Sequence, residues 1–180
     1  FAVPSNMVRT VIDGAASGLA LRRAWLGAKA DTVSIEIANA IGLDRPDGAM
    51  ISDIHPEGPA LRAGLKTGDI IVAVEDQSVF DEKGLRFRIA TGVVGERIKL
   101  RVRRPGRIFD ADLFLEYPPE VPARNEYQLR GAHPLAGATV ANLSPALAAE
   151  MGRDHFETGV VVRDIVLGSP AHRLEFRPGD

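Results

Sequence analysis

Side chains of the types that catalyse reactions or bind metals are sparse and poorly spaced in this sequence. The four histidines have no paired i, i+3 or i, i+4 spacing for a metal; they are His55, His133, His155 and His172. The absence of cysteine excludes disulfides, thiolate metal sites and cysteine nucleophiles. Phosphate-binding loops and dinucleotide fingerprints are absent too. The sequence therefore predicts no metal and no cofactor, and it leaves open whether the chain is an enzyme.

One stretch could bind a ligand through its backbone rather than through its side chains. A short apolar run, Ala24–Ala28, follows Arg22 and Arg23 and contains Gly27. A glycine lets a loop turn and lets another backbone approach closely. Taken alone, this stretch indicates only a turn that enters a strand.

The elements around this stretch predict one compact domain from about residue 21 to residue 116. Alternating and continuous apolar runs predict strands, and apolar spacing of three or four residues predicts helices. The predicted strands are Trp25–Val33, Ala49–Ile54, Ile70–Val74, Glu96–Arg103 and Ile108–Leu115, and the predicted helical stretches are Ser34–Ile41, Pro59–Ala63 and Phe80–Thr91. We expect about five or six mostly antiparallel strands and two helices in a mixed α+β fold, a small partly open β-barrel.

The second part of the chain repeats the first. A segment with three prolines, interpreted as a linker from residue 117 to residue 128, precedes it. Gly159–Asp180 then matches Gly48–Asp69 without a gap, with eight of 22 positions identical. Internal similarity of this kind indicates a tandem of like domains. We therefore expect an incomplete second copy from residue 129 to residue 180.

These pieces together resemble a known family. The Leu-Gly loop at Leu26 and Gly27, followed by the Pro59–Ile71 core, resembles a PDZ domain. The Phe1–Asn6 segment resembles the last strand of a trypsin-like protease domain. The chain as a whole is similar to the PDZ region of the HtrA/Do-type (DegP/DegQ-like) periplasmic serine proteases. The resemblance implies a protease tail and linker at residues 1–20, a first PDZ domain at 21–116 and a second, truncated PDZ-like copy at 129–180.

The resemblance also implies a site. A peptide would add as an extra strand, and its terminal carboxylate would lie among the converging amides of Leu26, Gly27 and Ala28. Leu26, Ala28, Leu85 and Ile89 would line the pocket for the terminal side chain. The remaining expected contacts are Arg23 for the carboxylate, Trp25 beside or beneath the loop, and Arg86 for a residue further up the peptide.

Each of these residues also has a purely structural interpretation. Leu26 and Leu85 are equally explained as core, Trp25 as packing beneath the loop, and the arginines as solvated side chains. The sequence also departs from the family pattern: Ala28 is smaller than the branched residue often found there, and Ala136 replaces the leucine of the loop in the second copy.

The resemblance implies a function for the protein from which the domains come. That protein would be a serine endopeptidase of the bacterial periplasm, self-associating through its protease domain, whose PDZ region captures C-termini or extended segments of misfolded proteins. This chain itself lacks the Gly-x-Ser-Gly-Gly motif of the catalytic serine. The net charge of −2 argues against a nucleic-acid partner. Two alternatives stay open: the domains serve mainly in cage assembly, or they belong to a non-HtrA PDZ protease or adaptor.

Overall fold

The chain forms two compact units, the first ending at Tyr117 and the second running from Pro118 to Asp180. We describe them from a computed structural model, which covers residues 23–40 and 45–180. The protease tail expected at residues 1–20 lies outside the described residues. None of the helices in the described part of the chain is long and apolar enough to cross a membrane.

The first unit is built from six strands and three helices within the described residues. In chain order they are β1 (Ala28–Thr32), α1 (Ile35–Ala40), β2 (Ala49–Ile54), α2 (Pro59–Arg62), β3 (Ile70–Val74), β4 (Gln77–Ser78), α3 (Glu82–Ala90), β5 (Arg97–Arg104) and β6 (Arg107–Phe114).

A single antiparallel sheet in the order β1-β2-β3-β5-β6 organises this unit, and β4 pairs with β3. Beyond β6, an isolated bridge brings Glu116 next to Trp25, whose amide donates to the Glu116 carbonyl at 2.9 Å. This bridge links the end of the last strand to the chain that enters β1. The bridge therefore curls the open sheet, in a mixed α/β fold with few helices.

The core of this unit follows from the alternation of side chains along its strands. In β5, Leu100 and Val102 are fully buried while Lys99 and Arg101 point outwards. The main helix, α3, packs against β1, β2 and β3. Its start is fixed by Asp81, whose carboxylate accepts a hydrogen bond from the Gly84 amide at 2.6 Å.

Three expectations about the first unit need correction. The strand predicted from Trp25 begins only at Ala28, because Gly27 has a φ of +70°, which no strand residue adopts. The described residues contain three helices rather than two, because each of the three predicted helical stretches forms a helix. The two-residue strand β4 is an addition that the sequence does not predict.

The Gly68-Asp69 pair of the predicted core motif has a structural role. The Asp69 carboxylate is buried and accepts two hydrogen bonds from Arg104, at 2.6 Å from Nε and 2.7 Å from the terminal nitrogen. It also accepts one from the Lys66 amide at 2.8 Å. The hydrogen bond to Asp69 raises the pKa of Arg104 above its ordinary value. This contact connects the turn before β3 to the end of β5.

The second unit contains three strands and two helices. They are β7 (Tyr127–Gln128), β8 (Ala138–Asn142), α4 (Pro145–Glu150), β9 (Val160–Ile165) and α5 (Pro170–Arg173), with the strands in the order β7-β8-β9. Both helices begin with a serine cap and a proline: Ser144 accepts from the Leu147 amide, and Ser169 accepts from the His172 amide, each at 3.1 Å.

The proline-rich segment interpreted as a linker from residue 117 to residue 128 packs within the second unit. Arg124 binds Glu120 at 2.8 Å and Glu150 at 2.5 Å, so its guanidinium joins the segment to α4. Hydrogen bonds to Glu120 and then to Glu150 raise the pKa of Arg124 above its ordinary value. The Ala146 amide also donates to the Pro119 carbonyl at 3.1 Å. The segment packs against α4, unlike a free linker, because it carries charged side chains that form ion pairs as well as prolines.

The backbone pairing of the two units follows one pattern. β8 pairs with β9 in the register of β1 with β2, and both pairs have a bulge after their second residue, at Lys29/Ala30 and Thr139/Val140. The loops before these strands match too. The Gly27 carbonyl accepts from the His55 amide and the Gly137 carbonyl accepts from the Val166 amide, each at 2.9 Å.

Candidate peptide-binding site

The Leu26-Gly27 loop is held in place by its carbonyl groups. The Leu26 carbonyl accepts from the Ala60 amide at 3.0 Å, and the Gly27 carbonyl accepts from the His55 amide at 2.9 Å. The loop is therefore hydrogen-bonded to the residue that follows β2 and to the first turn of α2. Its side chains point inwards, because Ala24, Trp25 and Leu26 are all less than a tenth exposed.

Gly27 is required by contacts within the chain. A Cβ at this position would lie 2.6 Å from the Cα of Gly58 and 2.6 Å from the Cδ of Pro59. Gly58 is constrained in the same way, because its Cβ would lie 2.6 Å from the Gly27 carbonyl oxygen. Real Cβ atoms do not come this close to other heavy atoms, so two backbones touch here and only glycine fits on either side.

The amides of Leu26 and Gly27 take no part in these contacts. Against residues 23–40 and 45–180, neither the Leu26 amide nor the Gly27 amide donates a hydrogen bond. Successive backbone N–H groups in a turn of this kind form a small concave nest that attracts anions. The loop thus offers two adjacent donors directly before β1.

The next feature is the outer edge of β1. This strand stands first in the sheet order and, among the strands that the structure describes, pairs with β2 alone. The start of α3 lies against its far end, where the Glu82 amide donates to the Thr32 hydroxyl at 3.1 Å. An edge strand flanked by a helix is the arrangement that accepts an added strand.

The predicted pocket residues lie in one apolar cluster. Leu26, Leu85 and Ile89 belong to the buried core of the first unit, and Leu85 and Ile89 are only 1% and 2% exposed. Ala28 packs against this cluster and is partly exposed. All four residues therefore belong to the same core or pack against it, and Ala28 is the partly exposed one.

The three polar or aromatic candidates are placed differently. Arg23 is exposed at the start of the described chain. Trp25 is buried and meets the His55 ring edge-on, with ring centres 5.2 Å apart, so it packs beneath the loop. Arg86 is exposed on α3 and lies 3.4 Å from the Glu82 carboxylate.

Helix geometry indicates which flank of α3 carries Arg86. Arg88 extends toward β4, where it donates to the Ser78 carbonyl at 3.0 Å and to Gln77. At 100° per residue, Arg86 lies on the opposite side of the Leu85–Ile89 stripe from Arg88. This is also the side of Glu82, whose amide contacts β1. Arg86 therefore stands on the flank of α3 that faces away from β4.

Sequence reasoning missed three residues that build the loop. Gly58 provides the close approach to Gly27, Pro59 covers it, and His55 supports both the loop and Trp25. Gly58 directly before α2 and Pro59 at its first position are the available signal, because they indicate a tight entry into a helix. That these two residues contact Gly27 cannot be predicted from a single sequence.

A cavity of about 260 Å³ lies apart from the loop, beside β4. It contains none of the predicted site residues. Its lining is largely polar, with Arg45, Asp47, Ser78 and Arg103 beside Val72, Val79 and Phe80.

Comparison with known proteins agrees with this architecture. Residues 50–104 match the PDZ domain family. This part of the chain is similar to a PDZ domain. Over its full length the chain is 32% identical to a probable DegP-like periplasmic serine endoprotease of Marinomonas sp. (strain MWYL1), of which it covers 37%. It is also 32% identical, again over its full length, to 37% of the periplasmic pH-dependent serine endoprotease DegQ of Escherichia coli (strain K12).

Solved structures give the same result for the fold. The HtrA-type protease AlgW with a decapeptide matches with a TM-score of 0.55 and 26% identity, over 66% of this chain and 37% of that one. Over the matched part, the fold of this chain is thus similar to that of an HtrA-type protease. The chain spans little more than a third of the length of the Marinomonas and Escherichia coli relatives.

Proposed function

We propose that the first unit binds the C-terminal ends of extended polypeptides, as the PDZ region of a periplasmic HtrA-type serine endopeptidase. One observation carries this proposal: among the strands within residues 23–40 and 45–180, β1 stands at the edge of the sheet, and it follows a loop with two backbone amides that donate to none of these residues. The strand edge supplies hydrogen bonds to a peptide backbone, and the loop supplies them to a terminal carboxylate.

The roles of individual residues follow from their positions. The amides of Leu26, Gly27 and Ala28 bind the carboxylate, and Arg23 adds long-range attraction. The terminal side chain enters between Ala28 and the stripe formed by Leu85 and Ile89. Two residues stand around this pocket: Arg86 contacts a residue further up the peptide, and Trp25 supports the loop from beneath.

The domain plan belongs to this proposal. Residues 1–20 are the tail of a protease domain, residues 21–116 the first PDZ domain, residues 117–128 a connecting segment and residues 129–180 an incomplete second PDZ copy. The shared register, bulge and loop hydrogen bonds of the two units support the second copy. Captured segments of misfolded proteins would be delivered to the protease domain, through which the whole protein would self-associate.

The test uses pairs of peptides rather than a loop variant, because substitution of Gly27 disturbs packing within the chain. Fluorescence anisotropy compares an apolar peptide with a free carboxylate, the same peptide amidated, and one with N-methyl groups on alternate backbone amides. The free acid should bind at least about tenfold more tightly than either, since each modification removes a set of hydrogen bonds. Equal binding of the free acid and the amide would overturn the proposal.

A further inference from the structure

The second unit has a strand in a place where the first unit has none among the strands that the structure describes. β8 corresponds by register to β1, and its pairing with β9 has the same bulge. On the other side of β8 lies β7, paired antiparallel with Tyr127 opposite Val140 and Gln128 opposite Thr139. The edge that the first unit presents is therefore covered in the second unit by the chain itself.

The contacts at the loop extend this correspondence. The Leu129 amide donates to the Ala138 carbonyl at 2.8 Å, and the Gly137 amide donates to the Leu129 carbonyl at 2.8 Å. Gly137 is the counterpart of Gly27, whose own amide donates to none of the residues that the structure describes. A carbonyl oxygen of the chain thus occupies the loop of the second unit, where a terminal carboxylate would otherwise bind.

The side chain of Leu129 completes the arrangement. It packs against an apolar cluster formed by Ala138, Val162 and Ala171, with Ile165 nearby. The neighbouring Tyr127 side chain is 64% exposed and lies outside this cluster. An apolar side chain packed against the domain, next to a backbone carbonyl at the loop, is how an extended peptide would be held.

We propose that Tyr127–Leu129 is an intramolecular ligand that fills the second unit's peptide site. An extended peptide ending in an apolar residue would bind that site only after displacing the segment. This inference rests on the proposed function, because it assigns to the second unit the binding mode proposed for the first. The first unit is then the open site of the chain and the second a masked one.

The test uses the full chain and two variants of the segment. Leu129→Asp removes the apolar anchor, and Tyr127→Asp is the matched control, since it adds the same charge at an exposed position of the same strand. Hydrogen exchange read by mass spectrometry should show faster exchange of residues 127–129 in Leu129→Asp and little change in Tyr127→Asp. Leu129→Ala is measured alongside, and replaces Leu129→Asp if circular dichroism shows that the charge unfolds the second unit.

A photoreactive apolar peptide with a free carboxylate then locates binding. In the wild type and in Tyr127→Asp, labelling should map to residues 26–32 alone. In the Leu129 variant, labelling of residues 136–142 should appear at least tenfold above the wild type.

The two proposals fail in distinguishable ways. Labelling at residues 26–32 without any at 136–142 in the variant overturns the intramolecular ligand and leaves the proposed function intact. Unchanged exchange at residues 127–129 in the Leu129 variants overturns it too, because Leu129 then does not hold the segment. Absence of labelling at residues 26–32 overturns the proposed function, and the inference with it.

Discussion

At the scale of single residues, the contact between Gly27 and Gly58 decides the shape of the loop. A methyl group at Gly27 would meet Gly58 and Pro59 at 2.6 Å, and its φ of +70° is unfavourable for any other residue type. Gly64 provides a matched control, because its φ is +78° and a methyl group there would have no heavy atom within 4 Å.

We expect Gly27→Ala to lower the free energy of unfolding by more than about 2 kcal/mol, and Gly64→Ala by about 1 kcal/mol, the cost of the left-handed conformation alone. Urea denaturation followed by fluorescence measures both values. Trp25, the single tryptophan of the sequence, is buried beneath the loop and reports on this region. Equal losses in the two variants would show that the Gly27–Gly58 contact is not tight.

At the scale of elements, α3 serves both the core and the proposed groove. Leu85 is 1% exposed and packs in the main cluster, whereas Phe87, two residues later, is 48% exposed. Leu85→Ala should cost about 2–5 kcal/mol of unfolding free energy, since it leaves a cavity in a packed core. Phe87→Ala should change it by less than about 1 kcal/mol.

The same two variants separate the two interpretations of Leu85. Anisotropy titrations with the free-acid peptide, at a temperature where both variants are folded, should show weaker binding for Leu85→Ala and unchanged binding for Phe87→Ala. A Leu85→Ala variant that is destabilised but binds peptide normally would assign Leu85 to the core alone.

The elements also show which features a single sequence can predict. Strands β2 and β3 have the same bounds as predicted, because each is an apolar run enclosed by glycine or polar turns. The two-residue strands β4 and β7 escape prediction, since Gln77–Ser78 and Tyr127–Gln128 are too short to show a period. α3 starts two residues later than its apolar spacing predicts, because Asp81 is the cap.

The candidate site, too, has parts that a single sequence predicts and parts that it does not. The loop residues and the Leu85–Ile89 stripe are visible in the sequence through a glycine and a four-residue spacing. Gly58 and His55 contact Gly27 from about thirty residues further along the chain. The cluster against which Leu129 packs is likewise evident only in the folded chain. Contacts of this kind depend on the fold rather than on local pattern.

At the scale of the whole molecule, stability should depend on pH through the second unit. Burial lowers the pKa of the half-buried His155, and the charge of Asp154 opposes this effect in part. The unfolded chain therefore takes up a proton at higher pH than the folded one does. The free energy of unfolding should fall as the pH drops through about 6.5, the ordinary pKa of histidine.

The comparison of wild type with His155→Gln isolates this contribution from other titrating groups. Urea denaturation followed by circular dichroism at pH 7.5 and pH 5.5 should show a larger loss for the wild type than for the variant. An identical pH dependence in the two proteins would mean that the folded and unfolded chains protonate His155 at the same pH.

The shared register of the two units has a consequence for how the chain reaches its fold. Because β1 pairs with β2 in the pattern that joins β8 to β9, β1 could pair wrongly with β9, and β8 with β2, in an acceptable geometry. Chains with repeated units misassemble by such exchanges. Sequence divergence is the available safeguard: β1 carries Lys29 and Asp31 where β8 carries Thr139 and Ala141. The differences between the copies thus help each strand to find its own neighbour during folding.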